Sequence, residues 1–164
     1  FTVTSDTAFE HVIQRCARIR MESGEGTWIT GAMIRAYCRL FAAGYAHSVE
    51  TWQNGALVGG LYGVSLGGCF FGESMFSEVS DASKVALVSL CVFLHERGFD
   101  MVDCQLTTAH LLWMGAQEIS RTAFLKQLQA SMRKKTLKGP WSVRLPGASE
   151  PESPNQIDNL PFHA

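Results

Sequence analysis

Apolar residues near the N-terminus recur at the spacing of one helix face, which predicts an amphipathic helix. The residues that share this face are Ala8, Phe9, Val12, Ile13 and Cys16. Thr4 or Ser5 can cap this helix, because a short hydroxyl side chain accepts a hydrogen bond from the first helical N–H groups. Thr30 can cap a second helix, which runs to about Ala43 and stops at Gly44.

A block of strand patterns follows the second predicted helix. Residues 47–53 alternate as a strand, and residues 56–66 return as a second strand. The dipeptide Asn54-Gly55 between them favours a type I′ hairpin turn. Gly67-Gly68 then turns the chain into a third strand over residues 69–76. The pattern predicts a mostly antiparallel sheet.

Helix and strand patterns alternate in the second half of the chain. A long helix is predicted over residues 81–97, with Gly98 as its stop, and a fourth strand over 99–105. A short helix over 109–114, a short strand over 116–119 and a helix from Ser120 to about Lys134 follow. Residues 139–164 contain all five prolines without any periodicity. We therefore expect one domain over 1–138 and an extended tail over 139–164.

Composition is typical of one globular domain. The 164 residues are 46% hydrophobic and 18% charged, with a net charge of −1. No apolar run reaches the roughly 18 residues that a membrane helix needs. The chain has five cysteines, which is an odd number, and it has no C-x-x-C motif. Both features argue against a disulfide framework or a structural zinc site. We expect a cytoplasmic monomer without a metal.

Two carboxylates interrupt apolar strand patterns. Glu73 follows Cys69-Phe70-Phe71, and Asp103 lies among Phe99, Met101 and Val102. Burying an unpaired carboxylate is costly, so the pair predicts a polar site lined by strands. Gln105, two residues after Asp103, should lie on the same strand face. The alternative is that each acid is structural and binds a backbone N–H or an arginine.

Positive charge is concentrated late in the chain. No acidic residue lies among Arg121, Lys126, Arg133, Lys134, Lys135 and Lys138. Such a run is compatible either with a solvated helix face or with phosphate binding.

Four motifs occur in order along the chain: Gly26-Thr27-Trp28-Ile29-Thr30, Gly44-Tyr45-Ala46-His47-Ser48-Val49-Glu50, Gly72-Glu73-Ser74-Met75-Phe76-Ser77 and Asp103-Cys104-Gln105. Together these motifs resemble the leucyl/phenylalanyl-tRNA–protein transferase family. The resemblance runs in family order from Phe1 to about Lys126. It departs from the family pattern at Ala109-His110, Trp113-Met114 and Ile119-Ser120-Arg121. The N-terminal domain of the family has no counterpart, so we expect a fragment or a cleaved product.

The resemblance implies an α+β fold like that of the N-acetyltransferases, with a mostly antiparallel central sheet flanked by helices. It also implies an enzyme that moves Leu or Phe, and also Met, from aminoacyl-tRNA to the N-terminal Arg or Lys of acceptor proteins. This modification marks the acceptors for degradation by the N-degron pathway. No cofactor is expected. Coenzyme A is disfavoured because residues 77–81 contain two acids and no glycine, and therefore form a poor anion-binding loop.

The resemblance also implies roles for individual residues. It assigns Asp103, Gln105 and Glu73 to catalysis, with Glu73 binding the cationic acceptor. The aminoacyl side-chain pocket would consist of Leu61, Phe70, Gly72, Met75, Leu87, Leu90, Leu94 and Val102. Trp28 and Ser74 would meet the terminal adenosine. The tRNA phosphates would meet Lys84, Arg121, Lys126, Arg133, Lys134 and Lys135. The alternatives are that the pocket residues are ordinary core and that Trp28 is a core aromatic.

Two other functions remain open on the sequence alone. The domain can be a non-catalytic module that binds tRNA ends or protein N-termini, or it can be a small-molecule N-acetyltransferase.

Overall fold

The fold is built around one mixed β-sheet whose strands follow chain order. A computed structural model describes residues 1–22, 24 and 26–145, and the backbone of 162–163. The strands are β1 (Thr2–Ser5), β2 (Ala46–Gln53), β3 (Ala56–Leu66), β4 (Cys69–Ser77), β5 (Met101–Asp103) and the short β6 (Phe162–His163). The first four strands pair antiparallel, whereas β5 pairs parallel to both β4 and β6. The expected mixed α+β class with mostly antiparallel pairing is confirmed.

Five helices within the described residues flank the sheet. They are α1 (Phe9–Glu22), α2 (Gly31–Ala42), α3 (Ala82–Glu96), α4 (Ala109–Trp113) and α5 (Arg121–Ser131). Two predicted caps are confirmed, because the hydroxyl of Thr30 accepts a hydrogen bond from the Met33 N–H and that of Ser120 accepts one from the Ala123 N–H. The last helix ends at Ser131 rather than near Lys134. None of the helices in the described part of the chain is long and apolar enough to cross a bilayer.

Two hydrophobic cores draw on alternate residues of the sheet. Leu61 belongs to a core built with α3, and its neighbour Tyr62 belongs to a core built with α1 and α2. Consecutive strand residues point to opposite faces, so this alternation places the two cores on the two sides of the sheet. The Asn54-Gly55 turn has positive φ at both residues, 52° and 77°, as the predicted type I′ hairpin requires.

The structure corrects the prediction at the N-terminus. Thr4 and Ser5 do not cap α1; they lie in β1, where Thr4 pairs with Glu50 of β2. Their hydroxyls are used elsewhere: Thr4 donates to the Glu50 carboxylate at 2.6 Å, and Ser5 donates to the Trp141 carbonyl at 2.7 Å. These two hydroxyl side chains therefore make long-range hydrogen bonds instead of capping the helix.

Two predicted strands are shorter than expected. The segment 116–119 contains only one bridging residue, Gln117. The fourth predicted strand, over 99–105, is reduced to β5, because the chain turns after Asp103 and Gln105 adopts a positive φ of 63°. Gln105 therefore does not share a strand face with Asp103, contrary to the prediction.

Residues 139–145 form no helix or strand, but they are not detached from the domain. Trp141 and Val143 are buried in the core on the α3 side. The Asp6 carboxylate accepts a hydrogen bond from the Trp141 N–H at 2.7 Å, and the Ser5 hydroxyl accepts one from the Val143 N–H at 2.9 Å. We call residues 139–145 the C-terminal strap. The remainder of the predicted tail lies outside the described residues, apart from the backbone of 162–163.

Candidate active site

Glu73 lies at a β-bulge, where one strand carries an extra residue. Tyr62 pairs with Ser74, but the next residue, Gly63, pairs with Gly72, so Glu73 has no partner on β3. A bulge inserts a residue and redirects side chains, and it is common beside active sites. Phe70 and Met75 are five residues apart, so in a regular strand their side chains would lie on opposite faces of the sheet. The extra residue at Glu73 brings both side chains into the core on the α3 side.

The Glu73 carboxyl group is half-buried and hydrogen-bonded to the Tyr37 hydroxyl of α2. Burial raises the pKa of Glu73, and the negative charge of Asp103 raises it further, while the bond from Tyr37 opposes the rise. Burial and the Glu73 charge also raise the pKa of Tyr37. Tyr37 therefore stays protonated and donates its hydrogen bond to Glu73. The two acids predicted from the sequence are thus electrostatically coupled.

Asp103 ends β5, where it pairs with Phe71 of β4. Its Oδ1 accepts a hydrogen bond from the Gln105 backbone N–H at 2.9 Å. This local bond, typical of an Asx turn, holds Gln105 in the left-handed region and leaves its side chain exposed. Asp103 therefore orients Gln105 through the backbone and not along a shared strand face.

Two cysteines flank the acidic pair, but both are poor nucleophiles. Burial, with the charge of Asp103, raises the pKa of both Cys69 and Cys104 to about 12. The thiolate is the reactive form of cysteine, so both side chains remain thiols at neutral pH. Within the described residues, no group of three His, Cys, Asp or Glu side chains is placed to hold a metal ion.

The residues predicted for the aminoacyl pocket belong to one continuous core. Met75 is partly buried, and the fully buried members are Leu61, Phe70, Leu87, Leu90, Leu94 and Val102. Gly72 lies on β4 beside them, where a Cβ would approach the Asp103 carbonyl oxygen at 3.6 Å. Phe70, Gly72 and Met75 share β4 with Glu73, and Val102 shares β5 with Asp103, whereas the other pocket residues come from β3 and α3. The arrangement is compatible with a pocket wall and with ordinary core packing, the two alternatives that follow from the sequence.

Trp28 begins a row of aromatic rings that leads inward from the surface. Its side chain is 43% exposed, and its ring meets Tyr37 edge-on with centroids 6.4 Å apart. Tyr37 in turn meets the buried Tyr62 at 5.2 Å. The exposure rules out the alternative that Trp28 is a core aromatic. Ser74, the other predicted donor-end residue, accepts a hydrogen bond from the Arg20 guanidinium at 3.3 Å.

The six cations predicted to bind tRNA differ in their surroundings. Lys84 pairs with Asp81 at 2.6 Å and lies over the Trp113 ring. Lys134 pairs with Asp100 at 2.5 Å. The other four are exposed and make no ion pair within the described part of the chain: Arg121, Lys126, Arg133 and Lys135.

Sequence reasoning missed Tyr37 and Arg20 as members of the site. Both are on helices that approach β4 from the same side, at Glu73 and Ser74 respectively. Nothing in the local sequence marks the Tyr37 hydroxyl as a partner of Glu73. Only the bulge in β4 and the packing of α2 reveal the contact.

Comparison with known proteins decides the family of this chain. The family model described as leucyl/phenylalanyl-tRNA protein transferase matches residues 1–129. The chain belongs to this family. The match includes all three residues of the Glu73–Asp103–Gln105 site.

Individual transferases of the family are closely similar to this chain. The leucyl/phenylalanyl-tRNA–protein transferase of Desulforapulum autotrophicum is 55% identical over 141 residues, covering 86% of this chain and 62% of the relative. That of Syntrophobacter fumaroxidans is 59% identical over 128 residues, covering 78% and 55%. That of Syntrophus aciditrophicus is 49% identical over 163 residues, covering 99% and 64%. The chain thus spans about three fifths of the length of the curated relatives that it matches.

Proposed function

We propose that this chain is the catalytic part of an aminoacyl-tRNA–protein transferase. It would transfer Leu or Phe, and also Met, to the N-terminal Arg or Lys of an acceptor protein and so mark that protein for degradation. The observation that carries this proposal is the family match over residues 1–129, which contains the coupled acids Glu73 and Asp103 and the nearby Gln105.

The proposed reaction is aminolysis of an ester that is already activated. The α-amine of the acceptor attacks the carbonyl that joins the amino acid to the 3′-terminal adenosine; a peptide bond forms and the C–O bond to the ribose breaks. The amine loses a proton and the ribose oxygen gains one. Positioning, a route for the proton and stabilisation of the oxyanion are sufficient for such a step, and a covalent enzyme intermediate is unnecessary.

Asp103 and Gln105 would act on the attacking amine. The bond from the Gln105 N–H to Asp103 fixes the backbone at this residue and leaves the amide side chain exposed to a substrate. The amide oxygen of Gln105 would accept a hydrogen bond from the amine and direct its lone pair towards the ester. Asp103 would be the positioning residue, and its charge would stabilise the positive charge that develops on the neutral amine as it attacks the ester.

Glu73 would select the cationic end of the acceptor. Its half-buried carboxylate is partly stripped of water, so a nearby cation gains more than it would on an open surface. The negative charges of Glu73 and Asp103 repel each other, so one cation bound near both would stabilise both carboxylates. This gives a physical reason for a preference for N-terminal Arg or Lys.

The donor side chain would enter the core on the α3 side, between Phe70, Met75 and Leu87. A narrow apolar mouth admits Leu, Phe and Met but rejects Val and Ile, which branch at Cβ. Trp28, exposed at the end of the aromatic row, would stack on the terminal adenine, since base–aromatic stacking contributes about 1–3 kcal/mol per base.

The proposed fold relationship is to the N-acetyltransferases, although the chemistry is not theirs. An acetyltransferase holds the pyrophosphate of coenzyme A at a glycine-rich helix start. Here the N-cap residue of α3 is Asp81, an acid that pairs with Lys84 and places a carboxylate where an anion would have to bind. We therefore favour tRNA over coenzyme A as the donor. We also propose a monomer in the cytoplasm, where aminoacyl-tRNA is made, with a domain over 1–138 against which the C-terminal strap, the first part of the predicted tail 139–164, packs.

The test is single-turnover transfer of labelled Phe from Phe-tRNA to a peptide that begins with Arg. Asp103→Ala and Gln105→Ala should each lower the rate by about 10²-fold or more, in the range of lost acid–base or positioning groups. Thermal melts should show that both variants remain folded. Gln127→Ala, an exposed glutamine of α5, is the matched control and should transfer at the normal rate.

Three results would contradict the proposal. A normal rate in folded Asp103→Ala and Gln105→Ala would remove the pair from the mechanism. Binding of Phe-tRNA or of the peptide without any transfer would favour the non-catalytic module. Turnover of acetyl-CoA with a small amine would favour the acetyltransferase.

A further inference from the structure

A basic cleft lies at the opposite end of β5 from Asp103. It is bounded by the β3–β4 turn at Gly67–Gly68, by Arg97 at the end of α3, and by residues 134–138 after α5. Its volume is about 700 Å³, within the range of roughly 300–1,000 Å³ that is common for ligand sites. Sequence patterns do not reveal it, because its walls come from three separate parts of the chain.

The cleft concentrates positive charge without a matching number of acids. Four basic residues line it: Arg97, Lys134, Lys135 and Lys138. Lys134 is neutralised by Asp100 at 2.5 Å and also donates to the Gly98 carbonyl at 2.7 Å, so it braces the wall. The other three make no ion pair with any described residue. They leave a net surplus of three positive charges.

Aromatic rings hold two of these cations in place. The Lys138 ammonium lies 3.9 Å from the centre of the Tyr45 ring, and the Arg97 guanidinium lies 5.1 Å from that of Phe93. Such contacts position a cation without cancelling its charge. The two charges therefore remain available to an anion.

The walls of the cleft are built by close backbone approach. A Cβ on Gly67 would lie 2.3 Å from the Ser131 carbonyl oxygen, and one on Gly68 would lie 2.5 Å from the Asp100 carboxylate. The Gly67 N–H donates to the Thr136 hydroxyl at 2.9 Å. The atoms that a Cβ on Gly67 would meet are backbone, so this position requires glycine, and its N–H bond to Thr136 ties the turn to the lysine segment. The basic side chains are therefore attached to backbone that is held in place by these contacts.

We propose that this cleft binds the phosphate backbone of the acceptor end of the tRNA. This inference rests on the proposed transferase function. Three separated cations with no acidic group among the described lining residues suit successive phosphates, and they carry no information about base identity. Phe99 lines the cleft and precedes Asp103 by four residues, or about 13 Å of extended chain. A stacked nucleic-acid strand advances by about 3.4 Å per phosphate, so the cleft would meet phosphates about four nucleotides from the ester.

This assignment changes the predicted set of phosphate-binding residues. Lys135 remains and Arg97 and Lys138 are added, whereas the members that do not line the cleft leave the set, namely Lys84, Arg121, Lys126 and Arg133. Lys134 becomes a structural brace, because releasing it to a phosphate would break its contacts with Asp100 and Gly98.

The test measures binding of a short RNA hairpin with a CCA end as a function of salt concentration. The double variant Lys135→Ala/Lys138→Ala should weaken binding and lower the log–log salt slope by about 1.4–1.8 units, since each lost phosphate contact accounts for roughly 0.7–0.9. Lys135→Arg/Lys138→Arg should retain the slope, because it retains the charges. The comparison pair Arg121→Ala/Lys126→Ala, also two exposed cations, should change the slope less. Thermal melts establish that each variant is folded.

Transfer of Phe from a Phe-adenosine ester to an Arg-starting peptide separates this inference from the proposed function. That donor has no acceptor-stem phosphates, so its use does not depend on the cleft. If the unaltered chain does not transfer Phe from it, the proposed function itself is contradicted. Transfer from this donor, together with an unchanged salt slope in Lys135→Ala/Lys138→Ala, would overturn the cleft assignment alone. A larger slope change in Arg121→Ala/Lys126→Ala would move the phosphate path to α5. Polyglutamate serves as a probe for an acidic protein partner. If Lys135→Ala/Lys138→Ala lost polyglutamate binding but bound the RNA hairpin normally, the cleft would be assigned to an acidic protein.

Discussion

At the scale of a single residue, three effects determine the pKa of Glu73, and one of them opposes the other two. Burial and the charge of Asp103 raise its pKa, and the hydrogen bond from Tyr37 lowers it. The net pKa is raised, so the folded protein holds the Glu73 proton more tightly than the unfolded chain does. Stability therefore falls as the pH rises from the unfolded pKa through the raised folded pKa. A carboxylate that served only to stabilise the fold would behave in the opposite way.

Glu73→Gln should consequently leave the melting temperature at pH 7 unchanged or raise it. The amide oxygen can still accept the Tyr37 hydrogen bond, while the cost of a partly buried charge disappears. The advantage should vanish at a pH below the ordinary glutamate pKa, where Glu73 is neutral in both states. The same variant should lose most transfer to peptides that start with Arg but keep its affinity for Phe-adenosine ester. Thermal melts across pH and a KM comparison measure the two effects.

Glu118→Gln provides the matched control for this substitution. Glu118 is an exposed acid that accepts a hydrogen bond from Thr107, which an amide oxygen can also accept. It should show neither the stabilisation nor the loss of transfer. A lower melting temperature for Glu73→Gln at pH 7 would show that Glu73 is structural, and equal losses for peptide and donor would place it at the donor site.

Individual residues were predicted where their own sequence context was unusual. Glu73 and Asp103 stood out because each is an acid within an apolar strand. Tyr37 did not stand out, since a tyrosine on a helix is ordinary and its partner is 36 positions away. Glu50 was equally hidden: it is fully buried in β2 and accepts hydrogen bonds from three hydroxyl groups, of Thr4, Thr7 and Ser48.

At the scale of elements, the β3–β4 pair determines how the site is arranged. The bulge at Glu73 returns Met75 to the face of Phe70, and the pair also requires glycine at position 63. A Cβ there would lie 2.2 Å from the Phe71 carbonyl oxygen and 2.5 Å from the Phe70 ring. Since Phe70 is a proposed wall of the donor pocket, the absence of a side chain at Gly63 sets the position of that wall.

Gly63→Ala should destabilise the protein by about 1–3 kcal/mol, because backbone and a fully buried ring must both move. The measurement is urea-induced unfolding, together with the KM for Phe-adenosine ester, which should rise as Phe70 is displaced. Gly31→Ala is the control. It lies at the first position of α2, where the nearest atom to the new Cβ is a mobile guanidinium nitrogen of Arg35 at 3.5 Å. Alanine favours the helix, so this variant should be neutral or slightly more stable. Equal stability of the two variants would mean that β4 tolerates the methyl group by shifting.

Element positions were predictable where turn residues and periodicity agreed. Asn54-Gly55, Thr30 and Ser120 each specify a local geometry, and the structure has all three. Strand length was not predictable at β5, because the residues after Asp103 remain compatible with a strand pattern. The carboxylate of Asp103 ends the strand by binding the backbone at Gln105. This competition between side chain and sheet has no periodic signature.

At the scale of the whole molecule, a buried polar network joins the two ends of the described domain. Asp6, after β1, accepts hydrogen bonds from the backbone N–H groups of Ser48 and Trp141, and its carboxylate contacts His47 Nδ1 at 2.8 Å. The His47 ring stacks on Trp141 with centroids 3.7 Å apart. The C-terminal strap is thus held by β1 and β2. Composition alone suggested only an extended tail here, since long-range polar pairing leaves no pattern along the sequence.

Trp141→Ala should therefore cost about 3–5 kcal/mol of unfolding free energy, as is usual for a large buried aromatic. The indole packs against Phe70, Phe93 and Phe99 in addition to His47, so its removal leaves a cavity behind the proposed donor pocket.

Urea unfolding should show this loss, and Trp141→Phe should recover about half of it by refilling part of the volume. Ser142→Ala, at the exposed neighbour in the same strap, controls for the substitution and should leave the unfolding midpoint unchanged. Indistinguishable midpoints for Trp141→Ala and Ser142→Ala would mean that the strap is detached in solution. The domain would then derive its stability from residues 1–138 alone, and the Phe70 wall would need no support from the C-terminal side.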